Sequence, residues 1–138
     1  MKARVKWQKE ASFLGESGSG HTVLMDGPPE SGGRNRGPRP MEMLLMGTGG
    51  CAAFDVVLIL KKGRQDICDC EVHIEAERAE REPKVFTRIH FHFIVTGKKL
   101  NPQQVERAIS LSAEKYCSAS IMLAKTAELT HDFEIVEA

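Results

Sequence analysis

The sequence predicts one α+β domain, which we expect to span residues 1–138. Three observations lead to this class: strand-like alternation near both ends of the chain, one long apolar helix, and no regular exchange of strand and helix. At 138 residues, the chain is long enough to bury a core without metal or disulfide support.

Three short strands are expected at the N-terminus. Charged and apolar residues alternate from Ala3 to Trp7, which is typical of a strand with one buried face. Further strands are expected over residues 12–14 and 21–25, separated by a turn rich in glycine and serine. Residues 27–39 contain glycine, proline and three arginines, which predicts a flexible, solvated loop inside the domain.

A long helix is predicted from Pro40 to about Leu60, ended by basic residues and Gly63. Between Met43 and Leu60 only Asp55 is charged, so the helix is apolar on nearly all sides. Its length would allow a membrane span, but a carboxylate in lipid costs about 2.5 kcal/mol or more, and the remaining chain alternates like a soluble domain. We therefore expect no membrane insertion and a second subunit that covers the helix.

After this helix the sequence predicts a hairpin, a second helix and a final strand. Residues 118–120 either end the second helix or cap a short third one. Strict alternation marks both hairpin strands. Asn101 is a suitable N-cap for an amphipathic helix that ends near Cys117. The expected bounds are 70–76 and 85–95 for the hairpin strands, 121–126 for the third helix and 129–136 for the last strand.

Charge and motifs exclude several classes of function. The 19 basic and 19 acidic residues cancel, so the chain lacks the basic field that nucleic acid binding requires. The common signatures of nucleotide-binding proteins, zinc proteases and serine hydrolases are absent. The N-terminus lacks the apolar core of a secretory signal, which predicts a cytoplasmic protein whose four cysteines are thiols.

Cys51 carries the strongest chemical signal. It follows Gly47, Gly49 and Gly50, and each glycine costs a helix about 1 kcal/mol relative to alanine. The missing side chains leave space for another helix or for a small substrate that approaches the sulfur. Asp55, one turn further on, would raise the pKa of the thiol unless a cation neutralises it. The flexible loop offers three candidate cations: Arg34, Arg36 and Arg39.

The other cysteines and the histidines have competing interpretations. Cys117 alone is typical of a buried small hydrophobe, but two cysteines on two core helices favour a reversible disulfide. Cys68, expected in a loop, and Cys70, expected to face inward from a strand, are too close together for a zinc knuckle.

Three histidines are a further metal candidate. Hairpin pairing about residues 81 and 82 places His73 opposite His90, with His92 on the same face. Zinc could use such a trio, although a solvated strand face is the simpler explanation.

Two segments together carry a family resemblance: residues 40–57, PMEMLLMGTGGCAAFDVV, and residues 111–118, LSAEKYCS. They resemble the OsmC/Ohr family of thiol-dependent organic hydroperoxide reductases, and the order of elements agrees over almost the whole chain. The resemblance implies curved antiparallel sheets around long central helices in an intertwined homodimer. It also implies that Cys51 attacks a small organic hydroperoxide, that Cys117 resolves the sulfenic acid, and that a dithiol reduces the disulfide without metal, haem or flavin.

The sequence departs from the peroxidatic members of this family at two places. Those members carry a glutamate directly after the proline of the helix, where this chain has Met41, and an arginine between the first two strands, which residues 9–16 lack. Glu42 and an arginine of residues 27–39 are the candidate replacements.

The alternative function is a binding or redox protein with little or no peroxidase turnover. Its interfacial pocket would hold an apolar or electrophilic ligand. The residues expected to line that pocket are Met41, Met43, Phe54 and the two thiols.

Overall fold

A computed structural model describes residues 1–138 as six strands and three α-helices, and it confirms the α+β class. The strands are β1 (Ala3–Lys9), β2 (Ser12–Ser17), β3 (Thr22–Asp26), β4 (Asp66–Arg78), β5 (Phe86–Lys98) and β6 (Glu128–Glu137). The helices are α1 (Pro40–Lys62), α2 (Pro102–Leu111) and α3 (Ser118–Leu123). The chain divides into two compact units, Met1–Met46 and Gly47–Ala138.

In the N-terminal unit, β1, β2 and β3 form an antiparallel sheet in that order. The alternation in β1 predicted one buried face, but every residue of the strand is exposed, with Val5 at 60% and Trp7 at 61%. The sequence therefore locates the strand correctly, whereas its apolar face stays open to solvent in a single chain.

Asp26, at the end of β3, organises the segment that follows. Its buried carboxylate accepts hydrogen bonds from the backbone N–H groups of Gly27, Arg34 and Arg36 at 2.9, 3.0 and 3.3 Å. The hydrogen bond from Arg34 is the main reason that the pKa of Asp26 lies below its ordinary value of 3.8. A short 3-10 turn, Pro29–Ser31, lies within this segment.

The sheet of the C-terminal unit has the order β4, β5, β6. The first two strands form the predicted antiparallel hairpin, but β6 runs parallel to β5, so the expectation of purely antiparallel sheets is wrong for this strand. The helices α2 and α3 lie between β5 and β6 in the chain. They form the crossover that a parallel pair of strands requires.

The hairpin register differs from the predicted one by two residues. His73 pairs with His92, and Glu75 pairs with His90, so His73 does not lie opposite His90. Side chains alternate with a period of two, and a slip of two residues keeps every side chain on its expected face. The sequence pattern therefore fixes the face of the histidines but cannot fix their partners.

The core of the C-terminal unit forms where one face of β5 meets the helices. Alternate residues of β5 are buried, and so are single faces of α1 and α2. The most buried apolar members are Val56, Leu60, Ile89, Val95, Val105, Ala108 and Ile109. Gly49 permits close packing of α1, because a Cβ atom there would lie 2.6 Å from Cδ1 of Ile74.

The opposite face of α1 is apolar and exposed. Phe54 is 66% exposed and Leu58 is 40% exposed, and a Cβ atom added at Gly47 or Gly50 would meet nothing within 4 Å. By length and composition alone α1 could cross a membrane, a property that core helices of soluble proteins share.

Candidate functional site

The structure brings Cys51 and Cys117 together with Asp55. One side-chain ligand atom from each, the two sulfurs and a carboxylate oxygen, lie within 4.8 Å of one another. Cys51 and Asp55 are half-buried on α1, whereas Cys117 is completely buried directly before α3. Both cysteines are free thiols. The site thus combines one approachable sulfur with one enclosed sulfur.

A local change of helix type positions Cys117. After α2 the chain widens into a π-helical turn, Ser112–Tyr116, and Cys117 then adopts an extended conformation with φ −77° and ψ 98°. Its N–H donates to the carbonyl of Ser112 at 2.7 Å, and its sulfur accepts from the N–H of Ser120 at 3.4 Å. The prediction that the second helix ends near Cys117 is correct. The residue types of Ser112–Tyr116, however, did not indicate the π-helical turn.

Ser112 orients the acidic member of the site. Its buried hydroxyl lies 3.0 Å from Oδ2 of Asp55, to which it donates, and 3.4 Å from the carbonyl oxygen of Ala52. Asp55 forms no ion pair, so no cation offsets its charge beside the two sulfurs. Asp55 could be identified from the sequence, but Ser112 could not, because it reaches the carboxylate from another element.

Burial raises the pKa of the Cys117 thiol above its ordinary value of 9.0, and Cys51 raises it further. Hydrogen bonds from Ser120 act in the opposite direction but are weaker than the burial. Together these effects favour the protonated form of the Cys117 thiol.

A largely apolar cavity of about 350 Å³ adjoins the cluster. Its wall includes Ala52, Ser112 and Ser120. Ser112 forms a hydrogen bond with Asp55, and Ser120 forms one with Cys117. Aromatic side chains of β5, Phe91 and Phe93, form another part of the wall. The cavity lies inside one chain, and neither of the two thiols, which were predicted to line a pocket, forms part of its wall.

The family model described as OsmC-like protein matches residues 32–132, a range that contains both thiols and Asp55. This chain belongs to the OsmC-like family. It is 56% identical to Protein YhfA of Escherichia coli (strain K12) over 138 residues, which cover 100% of both chains.

Solved structures agree with this assignment. A hypothetical protein from Aquifex aeolicus VF5 is 29% identical and has a TM-score of 0.88, with 99% of this chain and 96% of that chain covered. An organic hydroperoxide resistance protein OsmC from Legionella pneumophila has a TM-score of 0.75 at 17% identity, with 96% and 95% covered. At that identity the second likeness shows a shared OsmC-like fold.

The remaining predicted site residues of this OsmC-like chain lie elsewhere. The carboxylate of Glu42 accepts the backbone N–H of Arg39 at 2.7 Å and thereby caps the first turn of α1. Met41 and Met43 are half-buried in the same turn, and Phe54 is exposed and does not line the cavity. The roles of these four residues in binding and catalysis stay predictions.

The arginines predicted as a source of positive charge have partners within the N-terminal unit. Arg34 contacts Glu10 at 2.5 Å, and Arg36 lies 3.9 Å from the same carboxylate. Arg39 donates to the side-chain oxygen of Asn35 at 3.3 Å.

The histidines on the outer face of the β4–β5–β6 sheet pair with carboxylates. His90 and His92 contact the same oxygen of Asp132 at 2.9 and 2.8 Å, and His73 contacts Glu71 at 2.6 Å. The hydrogen bond to Asp132 is the main reason that the pKa of His92 is raised. Asp132 could not be identified from the sequence, because the register of β6 could not be predicted. Carboxylate partners therefore occupy the ring nitrogens that a zinc site would need.

The two neighbouring cysteines of β4 differ in environment. Burial, followed by the charge of Asp69, raises the pKa of Cys70 to about 11, as fits its predicted inward position. Cys68 is exposed and belongs to β4, where the register shifts, so its expected place in a loop is wrong.

Proposed function

We propose that this OsmC-like protein is a cytoplasmic thiol peroxidase that reduces small organic hydroperoxides through Cys51 and Cys117. The observation that supports it is the convergence of two sulfurs from separate elements within 4.8 Å. A disulfide requires about 2.05 Å, so the sulfurs need to approach by about 3 Å or less. The π-helical turn before Cys117 is a place where the backbone can absorb such a shift.

The difference in burial supports separate roles for the two thiols. Cys51 is approachable, so its thiolate attacks the distal oxygen of the hydroperoxide; the O–O bond breaks, and the alcohol leaves after protonation. The sulfur of buried Cys117 then attacks the Cys51 sulfenic acid. An S–S bond forms, and the hydroxyl leaves as water with the proton of Cys117. The net reaction oxidises two thiols to a disulfide and reduces the hydroperoxide to alcohol and water.

A dithiol reductant would complete the cycle by thiol–disulfide exchange and become a disulfide itself. We propose that Glu42 and an arginine of residues 27–39 assist the reaction, and that Met41, Met43 and Phe54 contact the alkyl part of the substrate. The proposed cycle uses no metal, haem or flavin.

The proposal can be tested by stopped-flow mixing with cumene hydroperoxide, following the loss of free thiols. We expect second-order consumption at least about 100-fold faster than that of an ordinary cysteine, because the enzyme holds the reacting groups in place. The reaction should disappear in Cys51→Ser and persist in Cys68→Ser, which changes an exposed thiol outside the cluster. A wild-type rate equal to that of free cysteine would reject the peroxidase.

We also propose a homodimer. OsmC/Ohr proteins are commonly dimeric, and the exposed apolar face of α1 offers a surface for a second copy. We expect Phe54→Asp to shift the protein towards monomer in analytical ultracentrifugation, because it places a charge on that face. Met122→Asp, at a 71% exposed methionine, is the matched control and should leave the mass unchanged. A monomeric wild type, or equal effects of both variants, would contradict the proposed interface.

The cavity of about 350 Å³ favours a second candidate, an apolar-ligand binding protein with little turnover. An apolar ligand that is retained through purification and binds equally well to Cys51→Ser would support this candidate. Ligand loss in Cys51→Ser would favour thiol chemistry instead.

A further inference from the structure

The cluster of Cys51, Asp55 and Cys117 contains the donor atoms of a metal site. Two sulfurs and one carboxylate oxygen converge within 4.8 Å, from positions far apart in the sequence. Thiolates and carboxylates are both zinc ligands, and thiolates select soft cations such as Zn²⁺ over Mg²⁺ or Ca²⁺. Three protein ligands leave a fourth coordination position open.

The spacing of the donors suits one tetrahedral ion. Zinc lies about 2.3 Å from sulfur and about 2.0–2.2 Å from a carboxylate oxygen, so two of its ligand atoms are separated by roughly 3.5–3.8 Å. The three donors already lie within 4.8 Å of one another, and closure needs movements of about 1 Å. Rotation of the Cys51 and Asp55 side chains, which are only half-buried, can supply such movements.

The charge of the site favours a cation. Asp55 is half-buried and forms no ion pair, and the second sulfur, that of Cys117, is completely enclosed. A carboxylate in such a position is stabilised by an opposite charge. A divalent ion would supply that charge and would also displace the thiol protons.

Hydrogen bonds that would hold the ligands are already present. The hydroxyl of Ser112 donates to Oδ2 of Asp55 at 3.0 Å, which leaves the other carboxylate oxygen free of that bond. The N–H of Ser120 points to the sulfur of Cys117 at 3.4 Å. Partners of this kind orient ligands in metal sites.

We propose that reduced Cys51 and Cys117, together with Asp55, bind one thiophilic divalent cation of the zinc class. Binding requires both sulfurs as thiolates, whereas disulfide formation joins them to each other, so the two states exclude one another. The bound ion would therefore block oxidation of the pair. This proposal depends only on the reduced cluster and stands whether or not the protein turns over hydroperoxides.

Anaerobic titration of the reduced, metal-free protein with Co²⁺, in a buffer with a phosphine reductant, tests the proposal. We expect thiolate-to-cobalt charge-transfer absorption that saturates at one ion per chain and disappears when Zn²⁺ is added. Cys51→Ser and Cys117→Ser should each weaken Co²⁺ binding at least about 100-fold, and Asp55→Asn at least about 10-fold. Circular dichroism of each variant shows whether it remains folded.

Two controls test where the ion binds. The double variant Cys68→Ser/Cys70→Ser and the variant His90→Gln, outside the cluster, should bind Co²⁺ like the wild type. Absence of charge-transfer absorption in the wild type would overturn the proposal. So would a signal that persists in folded Cys51→Ser or is lost in either control. No hydroperoxide is present, so the result does not depend on the peroxidase.

Discussion

Two polar clusters of the C-terminal unit differ in how their charges are balanced. The thiol cluster, which consists of Cys51, Asp55 and Cys117, lies partly inside the protein, and its Asp55 has no ionic partner. The histidine cluster lies on the outer face of the sheet, where Asp132 lies between His90 and His92. Within the histidine cluster, the two imidazole rings and the carboxylate form hydrogen bonds with one another. The thiol cluster lacks a compensating charge, which makes it the better candidate for binding a cation.

The largest expected difference between the two clusters concerns turnover. Cys117→Ser should lower steady-state hydroperoxide reduction with a dithiol at least about 100-fold, because the sulfenic acid then has no resolving thiol. The first oxidation of Cys51 should remain, and dimedone labelling should detect its sulfenic acid. His90→Gln should change neither quantity. Equal losses in the two variants would show that the thiol cluster has no special role.

A smaller difference is expected in stability. Ser112→Ala leaves Oδ2 of the half-buried Asp55 carboxylate without its donor and should lower the free energy of unfolding by about 1–3 kcal/mol. Thr130→Val removes the hydroxyl that lies 2.7 Å from His90 at a less enclosed position, and should cost less than about 1 kcal/mol. Urea denaturation measures both. A larger loss in Thr130→Val would reverse the proposed order of the two clusters.

The smallest effect is a pH dependence of the histidine cluster. The folded-state pKa of His92 is raised above 6.5, so its contribution to stability is full below that pH and is lost as pH rises through the raised pKa. The pKa of Asp132 is lowered from 3.8 by its hydrogen bonds to His92 and His90, so its contribution is lost as pH falls through the lowered value. The pair is therefore most effective between 3.8 and 6.5.

An NMR titration of the His92 ring checks this direction. Asp132→Asn should move the pKa of His92 back towards 6.5, and it should destabilise the protein more at about pH 5.5 than at about pH 8. A pKa of His92 that is unchanged in the variant would show that Asp132 does not control it.

The sequence predicted the elements well because their signals are local. Proline and basic residues bound α1, Asn101 accepts the N–H of Gln103 at 2.9 Å as a helix cap, and alternation located both hairpin strands. The prediction that Cys51 and Cys117 could meet rested on their position in two core helices, each with small neighbouring residues. The structure brings the two sulfurs together.

Features that depend on the pairing of distant segments could not be predicted. The parallel direction of β6 follows from the path of the chain through α2 and α3. The contact between Asp132 and the histidines depends on that direction. The hydrogen bond from Ser112 to Asp55 likewise joins separate elements. Alternation determines the face of a side chain, whereas its partner depends on register and crossover.

The most direct test of the account is peptide mapping by mass spectrometry after addition of one equivalent of cumene hydroperoxide to the reduced protein. The account predicts a disulfide between Cys51 and Cys117 of the same chain, with Cys68 and Cys70 still alkylated as free thiols. A disulfide between Cys68 and Cys70, or oxidation of Cys51 without any bond to Cys117, would contradict it.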